Sequence, residues 1–221
     1  VEIYNLRALY GLQLSEKLML KSGLGYRYLY HTWTCSGCYD REQDYTYIPL
    51  IAELKTSKGI LKIEYDEIID GNHTAYVYNR NLGYTRDLSF KNDDGYMWKF
   101  ALESKINGFT IEPYYEFMSV GISGTDSAKA GTINWEPANI TNEIGVRIKK
   151  EFNSNRSTIS NFKKIMTDDD YYFGMQVMLS EVESGFSSPT GSAKIDEEDT
   201  GFSIVSGMKI IDGLKGLPIK L

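Results

Sequence analysis

Leu18-Met19-Leu20-Lys21-Ser22-Gly23-Leu24-Gly25-Tyr26-Arg27-Tyr28-Leu29-Tyr30 sorts its side chains onto two faces. One carries Leu18, Leu20, Leu24, Tyr26, Tyr28 and Tyr30; the other carries Lys21, Gly23, Gly25 and Arg27. A period of two is that of an extended strand. It runs longer here than the five or so residues of an ordinary soluble strand. A soluble sandwich buries its apolar faces against each other, whereas a barrel in lipid turns them outward and keeps its charges inside. The stretch reads as the second kind. The expected fold is all-β: a single closed antiparallel transmembrane β-barrel of about ten strands, an even number such barrels allow.

The pattern returns along the chain. Tyr4, Leu6, Ala8, Tyr10 and Leu12 oppose Arg7, Gly11 and Gln13. Ile48, Leu50, Ala52 and Leu54 oppose Glu53; Leu61, Ile63 and Tyr65 oppose Lys62, Glu64 and Asp66. Tyr96, Trp98, Phe100 and Leu102 oppose Lys99 and Glu103. Phe109, Ile111, Tyr115 and Phe117 oppose Glu112 and Glu116, with the hairpin signal Asn107-Gly108 between these two strands. Ile144, Val146, Ile148 and Phe152 oppose Glu143, Arg147 and Lys149. Residues 153–169 read as a linker with at most one helical turn at 160–166, and 170–221 as strands eight to ten. There Tyr171, Phe173, Met175, Val177 and Leu179 face outward, as do Phe202, Ile204, Met208 and Ile210. The segment 183–200 reads as a long loop, and Leu217–Leu221 as the start of a last strand. Turns after the first, third and fifth strands are short and those after the second, fourth and sixth are long, the asymmetry of periplasmic turns and external loops. Pro49 and Pro113 fall inside predicted strands, where a bulge at each is expected to absorb the missing donor.

Composition agrees with this placement. A net charge of −6 argues against a nucleic-acid binder, which needs a basic face. Seventeen tyrosines suit two membrane–water interfaces. The mean hydropathy of −0.35 does not conflict, since only alternate residues need face lipid. No apolar run approaches the roughly 20 residues of a membrane helix. The chain opens without a signal peptide, so passage across an inner membrane implies a leader that has been removed or that lies ahead of residue 1.

The predicted lumen gathers Arg7, Lys21, Arg27, Glu53, Lys62, Glu64, Asp66, Lys99, Glu103, Glu112, Glu116, Arg147 and Lys209. Mixed signs in a narrow barrel favour a salt-bridged filling over a wide channel; a narrow path for small solutes is the alternative. Glu64/Asp66 and Glu112/Glu116 share faces as an acid–base pair would, but lie among cations that can pair with them. Cys35-Ser36-Gly37-Cys38 reads as a small loop disulfide, since a zinc site lacks two ligands and a redox site lacks its βαβ context. Asp196-Glu197-Glu198-Asp199 reads as a solvated acidic loop without the glycine spacing of a calcium site. No metal or cofactor is expected. Tyr26, Tyr28, Tyr30 and Trp33 mark an external aromatic girdle, and Phe152, Tyr171 and Phe173 a periplasmic one.

The motifs Gly25-Tyr26-Arg27-Tyr28-Leu29, Tyr47-Ile48-Pro49-Leu50, Ile111-Glu112-Pro113-Tyr114, Glu136-Pro137-Ala138-Asn139 and Thr141-Asn142-Glu143 span roughly residues 18–152. On them the chain resembles bacterial outer-membrane β-barrel proteins, broadly the small OmpA/OmpX-like group and uncharacterised proteobacterial barrels. The resemblance implies a Gram-negative outer membrane, contact with the bilayer and lipopolysaccharide, folding by the barrel-assembly machinery, and a monomer. It also exposes an anomaly. The segment ending in Phe152 looks like a closing strand, and Asp170-Tyr171-Tyr172-Phe173-Gly174 looks like an opening one, so the strand order reads as rotated, by a circular permutation or by two segments standing out of their natural order; a barrel with an unusual tail is the alternative.

The implied role is non-enzymatic: structural, adhesive or surface-interacting, with a narrow porin as alternative. His31 and His73 fall near the external rim with Asp40, Asp44, Asp66 and Asp70, so a rim protease of omptin type is the catalytic alternative. A soluble lipocalin-like carrier is the third class, and it demands the opposite sidedness.

Overall fold

A computed structural model describes residues 2–32, 39–78, 82–152, 171–188 and 191–208. Ten strands follow one another: β1 (Glu2–Gln13), β2 (Leu18–His31), β3 (Asp40–Thr56), β4 (Gly59–Tyr76), β5 (Leu88–Lys91), β6 (Gly95–Ile106), β7 (Phe109–Val120), β8 (Asn139–Phe152), β9 (Tyr171–Ser188) and β10 (Gly191–Met208). Nine of them form one antiparallel sheet in the order β1-β2-β3-β4-β6-β7-β8-β9-β10, curled into an open half-barrel. Short β5 pairs with Asn72–Ala75 at the top of β4, above the stretch Ile60–Glu67 that pairs with β6. Among the described residues β1 and β10 are the edges, so the sheet is open where a closed barrel was expected.

The expected count of ten strands is met differently from the sequence reading. The extra element is β5, while the predicted last strand at 217–221 lies outside the described residues, as do the helical turn at 160–166 and the linker. Segment 183–200 is not a long loop: β9 and β10 continue through it and pair from Tyr171↔Met208 to Ser188↔Gly191. The acidic run Asp196–Asp199 therefore sits on β10 against Glu183, Val182, Glu181 and Ser180. Likewise Asp40–Asp44 and Gly71–Tyr76, which fall in the long connections expected after the second and fourth strands, are strand. β9 pairs along β8, so residues 171–208 continue the same sheet.

Neither proline sits at a bulge. Pro49 pairs with Asp66, and Pro113 with Val146, in unbroken register on one side. On the other side the ladder has a gap with the register kept, from Ser22↔Leu50 to Gly25↔Tyr47 and from Ala101↔Tyr114 to Ser104↔Ile111. Each proline thus turns its donor-less nitrogen toward a break in one ladder. The register shift in these strands falls elsewhere: Thr46 pairs with Asp70 and Tyr47 with Ile68, which leaves Ile69 as the extra residue. A bulge changes which side a residue faces. Below Ile69 the buried side chains of β4 are Glu64, Asp66 and Ile68; above it they are His73 and Ala75, with Gly71 between.

Two glycines let tyrosine rings cross the sheet. A Cβ on Gly25 would lie 2.2 Å from the ring of its cross-strand neighbour Tyr47, and one on Gly145 would lie 2.5 Å from the Tyr114 hydroxyl. Tyr47 packs with Tyr45, Ile68, Met97, Met118 and Val120, and Tyr114 with Ala101 and Met178. The hairpin at Asn107-Gly108 has positive φ at both positions (51° and 79°), the conformation this dipeptide favours.

A second small core lies above the sheet proper, where Ala75, Val77, Leu88, Phe90 and Ala128 pack with Tyr39, Leu82 and Tyr84. It joins the top of β4 to segments 82–94 and 121–138, so these two connections form a built cap.

Candidate functional site

The two faces of the sheet differ as the two-residue period demands. Outward side chains stand exposed: Leu24 52%, Ile144 60%, Ile204 65%. On the opposite face Asp66 and Glu112 are 1% exposed. That face is the concave one, because its side chains meet across strands that do not touch.

The charges form linked groups. Arg7 on β1 donates to Glu64 at 2.5 Å and Asp66 at 3.4 Å on β4, while its Nε donates to the Tyr47 hydroxyl at 2.7 Å. That hydroxyl donates in turn to Asn5 Oδ1 at 2.7 Å. Arg27 on β2 and Lys99 on β6 share Glu116 on β7, at 3.1 and 2.8 Å. Lys62 and Lys149 each bridge Glu103 and Glu112, at 2.5 to 3.0 Å, and Arg147 adds 2.5 Å to Glu112 and 2.9 Å to Gln176 Oε1. Lys21 and Glu53 pair at 2.6 Å nearer the short-turn end. Tyr114 donates to Glu143 at 2.5 Å, with the Lys99 ammonium 4.3 Å from its ring centre.

Of the thirteen charges placed inside by the sequence, the structure brings Arg7, Lys21, Arg27, Glu53, Lys62, Glu64, Asp66, Lys99, Glu103, Glu112, Glu116 and Arg147 onto this face in ion pairs; Lys209 lies outside the described residues. The two carboxylate pairs differ: Glu112 and Glu116 take separate cations, whereas Glu64 and Asp66 share Arg7. Lys149, Tyr47, Tyr114, Glu143 and Gln176 also belong to the network. Lys149 and Glu143 share the predicted inward parity; the tyrosines lay hidden because a polar tip on an apolar ring fits either face.

His73 is fully buried, its Nε2 is 3.3 Å from Glu136 Oε1, its Nδ1 is 2.8 Å from Gln43 Nε2, and its ring meets Phe90 edge-on. Asp44 accepts from Asn72, Asp70 pairs with Lys91, and Asp66 pairs with Arg7. His31 stands opposite Arg41 on β3, and Asp40 opens that strand. Burial pushes Glu136 up to about 7. Asp126, in the cap, receives two hydrogen bonds from Arg86 and one from the Ser89 amide, which hold it well below the usual carboxylate range.

Of the aromatic girdles, Tyr26, Tyr28 and Tyr30 lie on the outward face, with Tyr28 against Tyr4 and Tyr30 against Tyr76. Phe173 is 49% exposed, and Phe152 and Tyr171 are register partners at the base of β8 and β9. Trp33, Cys35 and Cys38 lie outside the described residues. Among the described residues no cluster of three or more histidine, cysteine or acidic side chains has metal-site geometry. No helix there is long and apolar enough to cross a membrane.

No protein-family model, no curated protein and no solved structure matches the chain. The reading of function therefore rests on the sidedness of the sheet and the pairing of its inner charges.

Proposed function

We propose that the chain is a non-enzymatic β-barrel protein of a Gram-negative outer membrane, whose lumen is largely filled by its ion-pair network and whose external cap serves a structural or adhesive role. The carrying observation is sidedness: charges are gathered and paired on the concave face, while leucine, isoleucine, phenylalanine and tryptophan stand exposed on the convex one. In water such a convex face would be an aggregation hazard; in lipid it is the required outer surface. The tyrosine-rich motifs of residues 18–152 support the same placement by resemblance. Pairing of nearly every inner charge favours a filled lumen over a conducting one, since an ion in transit must compete with partners already in place.

The test has two parts. Folded protein in detergent should migrate faster on a gel when unheated than when boiled, and planar bilayers should register little conductance. A chain that stays monodisperse in buffer without detergent, with no such shift, would sink the membrane reading; steady channels at neutral pH would replace the filled lumen by a narrow pore.

A further inference from the structure

We propose that segment 121–138 lies against the lipid headgroups of the outer leaflet, anchored by Trp135, Ile133 and Ile122, instead of standing free above the membrane. This inference rests on the outer-membrane reading and names where one external segment goes.

Three observations carry it. First, the segment is fixed in place. The Ser123 amide donates to the Glu136 carbonyl at 3.1 Å and the Glu136 amide to Ser123 Oγ at 2.7 Å, with both residues buried. Asp126 and Asn134 exchange backbone hydrogen bonds at 2.8 and 2.9 Å, and the Thr85 and Gly124 amides reach Ala128 and Lys91 carbonyls at 2.8 Å. Second, the side chains this frame leaves outside are apolar: Ile122 is 66% exposed, Ile133 68% and Trp135 44%. Third, little charge reaches its surface: Asp126 is only partly exposed and is held by Arg86. Apart from Lys129 every exposed residue of 121–138 is uncharged, and the Lys129 ammonium is turned back onto the Leu82 carbonyl at 3.0 Å. The neighbouring segment 82–94 exposes Arg86, Lys91, Asp93 and Asp94.

Two segments at one end of one sheet thus present opposite surfaces. The charged one suits water. The uncharged one joins β7 to β8, on whose convex face Tyr115 (42%), Ile140 (37%) and Ile144 stand out. Tryptophan is the residue favoured at headgroup depth, where its ring is in lipid and its N–H meets water.

The experiment uses the full chain, refolded into phosphatidylcholine vesicles whose acyl chains are brominated at graded depths. The chain has three tryptophans. A Trp33→Phe/Trp98→Phe variant leaves Trp135 as the sole emitter, and a Trp33→Phe/Trp135→Phe variant leaves Trp98, which is outward on β6, three residues in from its cap end. Both should be quenched, Trp135 most by the shallowest bromines and Trp98 by deeper ones than Trp135. Quenching of Trp98 with Trp135 answering only to aqueous acrylamide overturns this inference and leaves the barrel reading standing. If neither responds to lipid, the barrel reading fails as well. An environment-sensitive dye on Ile133→Cys, in a Cys35→Ser/Cys38→Ser background, asks the same question without touching tryptophan. Its emission should shift blue on vesicle insertion; unchanged emission counts against the proposal, as does a shift that needs an added protein partner.

Discussion

Arg27 of β2 and Glu116 of β7 meet at 3.1 Å although three strands of the sheet lie between them. Laid flat, four strand spacings would separate their backbones by about 19 Å. The ion pair is thus a chord across the curve, and the curl of the sheet and the pairing of its charges are one feature seen twice.

Glu112 is where the network is most concentrated, because Lys62, Lys149 and Arg147 all converge on it. Removing one partner of a buried charge group strands the others, at a cost of about 3–5 kcal/mol. Glu112→Ala should therefore lower unfolding stability by roughly that amount in urea titrations of vesicle-inserted protein. Lys21→Ala, which breaks a single more open pair, should cost about 1 kcal/mol or less. Equal losses would show that convergence carries no energy.

Phe100 stands 43% exposed on the convex face at mid-strand. In lipid, Phe100→Arg should cost about 2–4 kcal/mol, the depth-dependent penalty for a cation on a barrel's outer face. The reading is the same urea titration. A neutral result would point to a water-facing surface.

Gly25 opposes Tyr47, whose hydroxyl joins Arg7 to Asn5. Gly25→Val would drive the ring off the strand and should cost about 1–3 kcal/mol as overpacking. Gly108→Val is the poor comparison, since its positive φ adds backbone strain. Gly11→Ala, whose Cβ would sit at an ordinary 3.4 Å from Lys21, should be close to silent.

The cap should respond to pH with two opposite signs. Glu136 is raised by burial to about 7, so its contribution is present below the ordinary carboxylate value and lost as pH climbs through 7. Asp126 is lowered by Arg86 and the Ser89 amide, so its contribution is present above the ordinary value and lost as pH falls. Protection of the amides in 121–138, taken relative to their intrinsic exchange rates, should be greatest near pH 4–5, roughly between these limits. Glu136→Gln should remove the alkaline arm alone; protection that stays flat through pH 9 would count against it.

The lower wall was legible because its two faces contrast: Lys62, Glu64 and Asp66 against Leu61, Ile63 and Tyr65 can be sorted by parity. Above the apolar band the contrast fades. Asp40–Gln43 and Gly71–Thr74 are polar on both faces, so alternation there carries no signal, and the strands were cut short. The hairpin of β9 and β10 was lost for the same reason, with glutamate, aspartate and serine on either side. His73 was placed at the rim, but its burial depends on the bulged Ile69, which no spacing rule reveals. Leu88 and Phe90 did leave a trace: two apolar residues alternating with Ser89 and Lys91 inside a polar stretch.

That extra residue at Ile69 makes one continuous strand speak with two phases. The storey below and the storey above are read from the same chain but need not share their inside and outside, so the upper one is free to be rebuilt for a new task without disturbing the wall that holds it up.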